Sequence, residues 1–378
     1  MPGHIPKSLK KLVVISDTAM CSDASGNYAF GPVVKELENF TFTKRITWIG
    51  FKKERNNAFV SIANKHLKLV PLKHTGGRTL LSKLSILIQY PIYFFRILKQ
   101  VFKADIVHVR APSNPAVIAY VLSWFFIKKQ FWFKYAGNWQ GHASWFYRVQ
   151  RYMLTMVSKN VKVTINGNWP DQKKHIYSFE NPCLTDSDKK QGEGYVKDKT
   201  LAKPCTICFI GNLDENKGIK LLLKALKLYN KEHIKTLHIV GGGKLEQWVK
   251  AECKAMNFNV VLHGFLPKDA ITSVYKISHF IILPSKSEGF PKVIGEAMNY
   301  GCVPIISNIS CISQYITHSK NGYLIDAITV SGIAEVMQEV LKIDERHFCE
   351  MLEYNYTLAG KFTYSYYEQQ VLHKIFEL

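Results

Sequence analysis

Short apolar runs alternate with amphipathic segments along the whole chain. In the first half, five such runs have the length and the β-branched or aromatic residues of buried strands: 12–17, 45–51, 105–110, 131–136 and 162–167. A sixth ends at Asn181 and Pro182. Strands that alternate with helical segments in this way predict an α/β fold with a doubly wound parallel sheet.

The same pattern begins again in the second half. Its predicted strands are 205–211, 236–242, 259–265, 280–284, 302–307 and 323–325. A chain of 378 residues is about twice the length of a typical domain, so two α/β domains are expected. The charged, Gly-containing segment 186–203 is predicted as a linker between domains 1–185 and 204–359. The last helix, within 360–378, is expected to pack back on the first domain.

One long amphipathic segment, 79–102, differs from the other predicted helices. Its apolar residues recur at helical spacing, basic residues such as Lys99 and Lys103 accompany them, and Pro91 is expected to kink the helix. A basic amphipathic helix can lie in a membrane interface, whereas an apolar stripe more often faces a core. The pattern favours the core.

Charge is distributed unequally between the two halves. Residues 1–185 contain 27 Lys and Arg against 8 Asp and Glu, a net charge of +19, whereas residues 186–378 contain 23 against 21, a net charge of +2. This asymmetry indicates that the first half meets a polyanionic surface, either nucleic acid or the anionic leaflet of a membrane. A surface that is merely basic and solvated is the alternative.

Composition and cysteine placement exclude several other classes of protein. Hydrophobic residues make up 47% of the chain and charged residues 21%, which is typical of a globular protein. No stretch reaches the roughly 18 uninterrupted apolar residues of a membrane span, and the N-terminus lacks the pattern of a signal peptide, so a cytoplasmic location is expected. The eight cysteines show no disulfide framework. Cys205 and Cys208 lie in a predicted buried strand, which argues against a metal or redox site.

A strand, a loop, a helix and a second strand are predicted between Phe280 and Asn308. Pro291 in front of the helix and Gly301 behind it are the expected boundary residues. The loop 285–290 is therefore expected at the carboxyl edge of a parallel sheet, next to the positive end of a helix, where open α/β folds bind anionic ligands. Glu288 lies in this loop, and Glu296 lies in the second turn of the helix.

A second loop, GNLDENKG at 211–218, leads from a predicted strand into a helix. It carries Lys217 at the helix start, where the helix dipole disfavours a cation, so this lysine indicates a phosphate-binding role. The run from Gly241 to Lys244, GGGK, has neither the spacing of the dinucleotide fingerprint nor that of the P-loop. Its glycines are equally consistent with a tight turn between a strand and a helix.

Four segments of the second half together resemble the C-terminal domain of family 4 glycosyltransferases, also described as glycosyl transferases group 1. They are GNLDENKGIKLLLKAL, HIVGGGKLE, VVLHGFLP and SEGFPKVIGEAMNYGCVPIIS, within residues 204–326. In the last of them, Glu288 and Glu296 form the E-x7-E element of this family. The resemblance implies the GT-B architecture, in which two Rossmann-like domains face each other across a cleft, and it implies retention of configuration.

The resemblance also implies a role for each matching residue. Glu288 is expected to hold hydroxyls of the donor sugar, Lys217 to neutralise the leaving diphosphate, and Glu296 to bind the nucleotide ribose. The other residues expected to contact the donor are Gly211, Asn212, Gly289, Phe290, Lys292 and Val293.

The sequence departs from the family pattern in two places. Asn212 stands where the family usually has an arginine, so the phosphate clamp is either weaker or completed by Arg110, Lys244 or Lys286. The exit of strand 131–136, where many relatives carry a histidine, reads Gly-Asn-Trp. The residues of the first domain that remain candidates for contacting the acceptor or a phosphate are Gly26, Arg110, Asn138 and His142.

The function implied is transfer of a sugar from a UDP- or GDP-linked donor to a glycan acceptor. Because Lys217 and a helix dipole can stabilise the leaving group, and no Asp-x-Asp element is found, neither a metal nor another cofactor is expected. The basic first half favours an acceptor on polyprenyl diphosphate, with the enzyme peripheral on the inner face of the cell membrane. Such an enzyme would act in polysaccharide, capsule or O-antigen synthesis.

Three alternatives are left open by the sequence. A nucleotide-sugar epimerase can share the architecture, but it gives no reason for a basic first half. A nucleic-acid-binding or anion-binding protein without catalysis explains the charge but not Glu288 and Glu296, so nucleic acid is not the expected partner. A carbohydrate-binding relative without activity is consistent with Asn212.

Overall fold

Two sheets organise the chain, one in each of two units. The computed structural model describes residues 10–56, 58–75, 80–141 and 144–377. The first unit comprises Met1–Phe179 with Glu368–Leu378, and the second comprises Glu180–Tyr367. None of the helices in this described part of the chain has both the length and the hydropathy needed to cross a bilayer.

The first unit is built on a mainly parallel sheet. Its strands are β1 (Lys10–Asp23), β2 (Gly26–Phe30), β3 (Thr43–Lys52), β4 (Phe59–Ser61), β5 (Leu67–Lys73), β6 (Ile106–Ala111), β7 (Gln130–Tyr135), β8 (Val161–Asn166) and β9 (Ile176–Phe179). Its helices include α1 (Gly31–Glu38), α2 (Leu80–Lys103), α3 (Asn114–Phe125) and α4 (Trp145–Thr155). The parallel strands follow the order β5-β3-β1-β6-β7-β8-β9. This is Rossmann-like, and the strand order reverses between β1 and β6.

The start of the first unit differs from the prediction. β1 continues to Asp23 and forms an antiparallel hairpin with β2, so Gly26 lies opposite Asp23 instead of in a loop that leads into α1. The strands β4 and β5 were not predicted. β5 contains Pro71, which lacks a backbone donor and disfavours an internal strand, but β5 is at the sheet edge, where proline is tolerated.

The helices α2, α3 and α4 contribute to one apolar core with the sheet. Tyr93 and Ile97 of α2, Ile118 of α3 and Leu154 of α4 are buried there together with Val107 of β6. The predicted helix 79–102 is thus observed as α2, with Pro91 inside it. Gly76 and Gly77, which precede this helix in the sequence and are expected to form a turn, lie outside the described residues.

The second unit is built on a parallel sheet of six strands. They are β10 (Cys205–Ile210), β11 (Ile234–Val240), β12 (Asn259–Gly264), β13 (Phe280–Leu283), β14 (Val303–Ser307) and β15 (Tyr323–Ile325). The helices are α5 (Asp186–Asp198), α6 (Ile219–Leu226), α7 (Glu246–Cys253), α8 (Lys268–Ile277), α9 (Lys292–Asn299), α10 (Val330–Lys342), α11 (Glu345–Ala359) and α12 (Tyr364–Gln370). The strand order β12-β11-β10-β13-β14-β15 is that of a Rossmann fold, with its reversal between β10 and β13.

The C-terminal residues from within α12 onward belong to the first unit. Glu368–Leu378 cluster with it. The ring of Phe376 lies 5.2 Å from that of Phe42 and 6.2 Å from that of Trp132, between ring centroids. The chain therefore enters the second unit after β9 and leaves it near the end of α12.

The segment 186–203, which the sequence predicted as a linker, begins with the helix α5 and lies in the second unit. Thr185 caps α5 in a capping box with Asp188. Just after α5, the Lys199 ammonium donates to the carbonyls of Tyr275, Ser278 and Tyr300 at 2.8–2.9 Å. The composition resembles a linker because α5 buries few large side chains and packs closely through glycine.

Substitutions at two glycines of α5 can test whether this helix packs against α9. At Gly192 an added Cβ would lie 2.2 Å from the Asn299 carbonyl oxygen at the end of α9, whereas at Gly194 it would meet no atom within 4 Å. We expect Gly192→Ala to lower the free energy of unfolding by about 2 kcal/mol or more, because the helices must separate. Gly194→Ala should raise it by about 0.5–1 kcal/mol through helix propensity. Urea denaturation measures both, and two neutral substitutions would show that α5 does not pack against α9.

Candidate functional site

The loops after β10 and β13 meet at the point where the strand order of the second unit reverses. Gly218 has φ +71°, and an added Cβ would lie 2.0 Å from the Pro284 carbonyl oxygen. The Lys286 N–H donates to the Asn216 carbonyl at 2.7 Å, and the Asn216 side-chain amide donates to the Ser287 carbonyl at 3.1 Å. The two loops are therefore joined backbone to backbone, and only glycine fits at 218.

This contact brings together Lys217 and Glu288, the two residues predicted to be catalytic. The Lys217 ammonium forms an ion pair with Oε1 of Glu288, and the side chains are 21% and 12% exposed. The Lys217 N–H donates to Oδ1 of Asp214 at 3.0 Å, which fixes the backbone in front of α6. The sequence did not predict that the lysine and the glutamate bind each other. Each remains partly accessible, so an anionic ligand can compete for the lysine.

The boundaries of α9 follow the residues that predicted them. Pro291 is the residue before the first helical position, and Gly301 adopts φ +76° just past the end. The Cys302 N–H donates to the Ala297 carbonyl, and the Gly301 N–H donates to that of Met298. This is a Schellman motif. The positive end of α9, with Lys292 and Val293 in its first turn, therefore follows directly on the loop that carries Glu288.

Phe290 fixes the loop that carries Glu288 by packing its ring against two other aromatic rings. Its side chain is buried, and its ring stacks on Phe362, with centroids 4.7 Å apart, and lies 4.8 Å from Tyr315. The Phe290 carbonyl accepts from the Asn181 amide at 3.2 Å, and the Gly289 carbonyl accepts from the Cys311 thiol at 3.4 Å. Phe290 can thus reach a ligand through its backbone but not through its ring.

Glu296 lies on α9 with its carboxyl group largely buried. The Tyr275 hydroxyl donates to its Oε2 at 3.1 Å. Burial raises the pKa of Glu296, although the charges of Lys268 and Lys292 and the bond from Tyr275 oppose this effect. Burial, followed by the charge of Glu296, raises the pKa of Tyr275 well above its ordinary value. Neither Tyr275 nor its bond was predicted, because the sequence shows only an amphipathic helix there.

The glycine run after β11 lies against the loop after β10. An added Cβ at Gly241 would be 1.9 Å from the Gly211 carbonyl oxygen, and one at Gly243 would be 2.6 Å from that of Leu213. A tight turn in close contact with a neighbouring loop accounts for these glycines. The side chains of Asn212, Lys244 and Lys286 are exposed.

Arg110 and Lys134 of the first unit share a buried counter-ion. Glu36 of α1 is fully buried, and its carboxylate contacts the Arg110 guanidinium at 2.8 Å and the Lys134 ammonium at 2.9 Å. Arg110 therefore already faces an anion of the protein itself, which weakens the reason for choosing it as a phosphate ligand. The sequence contained a signal that Glu36 is buried, since it lies on the same helical stripe as Val33 and Leu37, but none for its partners.

The other candidates of the first unit are not brought into one cluster by the described structure. Gly26, with φ +137°, lies in the β1–β2 hairpin. The Asn138 side-chain oxygen accepts from the Gln140 N–H at 3.1 Å and closes the turn after β7. His142 lies outside the described residues, so its role stays a prediction.

Neither a disulfide nor a cluster of metal-binding side chains is found among the described residues. All eight cysteines are free, and both Cys205 and Cys208 are buried in β10. Within 10–56, 58–75, 80–141 and 144–377, no group of three or more His, Cys, Asp or Glu is placed to hold a metal ion. Independence from metal stays a prediction.

Comparison with known proteins identifies the second unit. Residues 195–356 match the family described as Glycosyl transferases group 1. An uncharacterized glycosyltransferase of Methanocaldococcus jannaschii is 28% identical over 198 residues, which are 49% of this chain and 50% of that protein. A Campylobacter jejuni enzyme is 26% identical over 216 residues, 52% of this chain and 59% of that protein. Its name is GalNAc-alpha-(1->4)-GalNAc-alpha-(1->3)-diNAcBac-PP-undecaprenol alpha-1,4-N-acetyl-D-galactosaminyltransferase. The chain spans about half the length of these curated relatives.

Solved structures identify the fold of the whole chain. Anabaena Alr3699/HepE, in a crystal structure with UDP and glucose, has a TM-score of 0.68 and 14% identity, and the match covers 98% of this chain and 100% of that one. The predicted GT-B class, with two Rossmann-like α/β domains, is confirmed. The match of residues 195–356 lies within the second unit and supports the coarser part of the predicted resemblance, a glycosyl transferases group 1 domain.

The raised pKa of Glu296 makes a testable prediction. The folded protein prefers the protonated carboxyl, so the free energy of unfolding should fall as the pH rises above 4.5, the ordinary pKa of this group, through the raised value. Glu296→Gln should weaken this pH dependence, whereas Glu335→Gln, on an exposed position of α10, should leave it unchanged.

If Glu296 binds the ribose, Glu296→Gln should also weaken UDP binding about tenfold, since hydrogen bonds to charged groups contribute about 1.5–3 kcal/mol.

Thermal unfolding between acidic and neutral pH measures the first effect, and isothermal titration calorimetry with UDP measures the second. If the free energy of unfolding of Glu296→Gln depended on pH as that of the unmodified chain does, the result would contradict burial of the Glu296 carboxyl group. Unchanged UDP affinity would contradict its role in binding the ribose.

Proposed function

We propose that this chain is a retaining, family 4 glycosyltransferase that takes a sugar from a UDP- or GDP-linked donor. Its acceptor is a saccharide on polyprenyl diphosphate at the inner face of the cell membrane, in the synthesis of a cell-surface polysaccharide. The observation that carries the proposal is the pair of Lys217 and Glu288 where the strand order reverses, with Glu296 further along α9.

The leaving nucleoside diphosphate is stabilised by Lys217 and by the start of α9. Breaking the bond between the anomeric carbon and a nucleoside diphosphate leaves negative charge on the diphosphate. Lys217 supplies a cation, and the first turn of α9 supplies oriented N–H groups and a positive dipole end. A diphosphate that displaces Glu288 from Lys217 replaces one carboxylate partner by phosphate oxygens, so the lysine charge stays neutralised throughout.

The donor sugar and the ribose are bound by the two glutamates. Glu288, once released from Lys217, has two carboxylate oxygens to accept hydrogen bonds from sugar hydroxyls. Glu296 lies further along α9, with Tyr275 holding one of its oxygens, so the second oxygen can accept from a ribose hydroxyl. The backbone contacts around Gly218 hold the loops of Lys217 and Glu288 in place before the ligand arrives, which lowers the entropy cost of binding.

The acceptor is proposed on the basis of charge and relatives. The net charge of +19 on residues 1–185 suits an anionic membrane surface. The Campylobacter jejuni relative bears a name that specifies a saccharide on PP-undecaprenol. Retention of configuration and independence from metal are proposed from the family resemblance and from the cationic groups around the diphosphate.

A substitution at Lys217 tests the proposal. A screen of nucleotide sugars by thermal shift first identifies the donor, and UDP or GDP release then reports turnover. We expect Lys217→Ala to lower kcat by about 10²–10³, since loss of one group that stabilises developing charge has this effect. The matched control is Lys220→Ala, three residues on in α6, where the lysine pairs with the exposed Glu215.

Three results would count against the proposal. Turnover of Lys217→Ala within about twofold of the unmodified chain would remove Lys217 from the mechanism. An epimerised nucleotide sugar formed without acceptor would indicate an epimerase. Donor binding without any turnover would indicate a binding protein.

A further inference from the structure

The outer surface of α2 is apolar although it faces solvent. Tyr93, Ile97 and Val101 point into the core and are fully buried. On the opposite side of the helix, four large apolar residues are exposed: Ile88, Ile92, Phe95 and Phe102. They follow one another after four, three and seven residues, so they form a single stripe along α2.

The stripe continues at the end of α3. The rings of Phe102 and Phe126 meet with centroids 4.9 Å apart and join the two helix ends. Trp124 and Phe125 lie beside this contact and are exposed. We call the surface made by Ile88, Ile92, Phe95, Phe102, Trp124 and Phe125 the apolar face. A contiguous exposed patch of this kind marks an interaction site.

The charges in the segment that forms the apolar face are almost all positive. Residues 80–156 contain ten Lys and Arg and one acidic residue, Asp105, and α2, α3 and α4 contain no acidic residue. Arg96, Lys99, Lys103 and Lys128 are exposed next to the apolar residues. Apolar residues flanked by many cations and a single acidic residue suit a surface with apolar chains beneath a layer of phosphates.

Exposed aromatic residues on the neighbouring helix α4 also suit a surface of apolar chains beneath phosphates. Trp145 and Tyr152 of α4 are exposed and lie two turns apart on one side of that helix. Trp and Tyr concentrate at the boundary between headgroups and acyl chains, because their rings are apolar and carry one polar group.

We propose that the apolar face binds the surface of an anionic phospholipid bilayer. Phe95, Phe102 and Phe125 enter the boundary of the acyl chains, and the neighbouring lysines and Arg96 contact headgroup phosphates. This inference names the membrane-binding surface of the proposed enzyme, and it rests on the proposed function only in that the acceptor is membrane-bound.

The test uses the full chain and vesicles of phosphatidylcholine with or without phosphatidylglycerol. We expect flotation with the anionic vesicles and about tenfold weaker binding to neutral ones or at high salt. Phe95→Glu and Phe125→Glu should each weaken binding about tenfold or more, since they remove inserted apolar area and add like charge. The control is Leu228→Glu in the second unit, because Leu228 is 69% exposed, compared with 66% for Phe95 and 77% for Phe125.

A second measurement needs no charged variant. Brominated phosphatidylcholine, mixed into the anionic vesicles, should quench the tryptophan fluorescence of the bound chain. Replacing Trp124 by Phe should remove part of the quenching, whereas replacing Trp248 of α7 should not. Quenching that is the same in both variants would place the membrane contact elsewhere.

Three outcomes would overturn the inference. They are no binding to anionic vesicles, equal binding by Phe95→Glu and Leu228→Glu, or a dimer in solution that Phe95→Glu dissociates, which would make the apolar face a contact between two copies. Thermal shift with UDP is measured on every variant and should stay unchanged. Loss of vesicle binding with retained nucleotide binding then concerns the apolar face alone, whereas failure of the unmodified chain to bind either UDP or GDP concerns the proposed function.

Discussion

The close approach of the loops after β10 and β13 is the constraint on which the site depends. Gly218 allows it, because any side chain there would collide with the Pro284 carbonyl. The strand order reverses between these two strands, and ligands of open α/β sheets bind in the crevice at such a point, so a ligand can reach both loops. Lys217 and Glu288 are adjacent for this reason, although 70 residues of chain separate them. The turn at Gly241 packs against the loop after β10, and the stacking of Phe290 on Phe362 fixes the loop after β13.

Each unit contains an ion pair that is removed at least in part from water, but the two pairs have different consequences. Glu36 is fully buried between Arg110 and Lys134, whose contacts compensate the cost of bringing its charge out of water. Although Arg110 is 15% exposed, the shared carboxylate is inaccessible to solvent, so it cannot exchange partners with a ligand. The pair of Lys217 and Glu288 keeps part of both side chains accessible, so its partners can be exchanged. This difference in exposure, rather than the presence of an ion pair, separates a structural cluster from a candidate site.

The sequence predicted the parallel strands and the position of Glu288 and Glu296, because strand runs, Pro291 and Gly301 are local signals. It did not predict β5, whose Pro71 is compatible only with a sheet edge, or α5, whose glycines look like a linker until the contact of Gly192 with Asn299 is known. The partners of Glu296 and Arg110 lie 21 and 74 residues away, respectively, at Tyr275 and Glu36. Such pairings are set by tertiary packing, which single-sequence patterns do not contain.

A crystal structure with the intact donor sugar nucleotide, or with UDP and a sugar, tests the central claim most directly. We predict that Lys217 leaves Glu288 and binds a diphosphate oxygen at about 2.7–3.0 Å. Glu288 should then accept a hydrogen bond from the sugar, and Glu296 one from the ribose. A complex in which the pair of Lys217 and Glu288 stays intact, or in which the diphosphate binds away from the first turn of α9, would contradict the account.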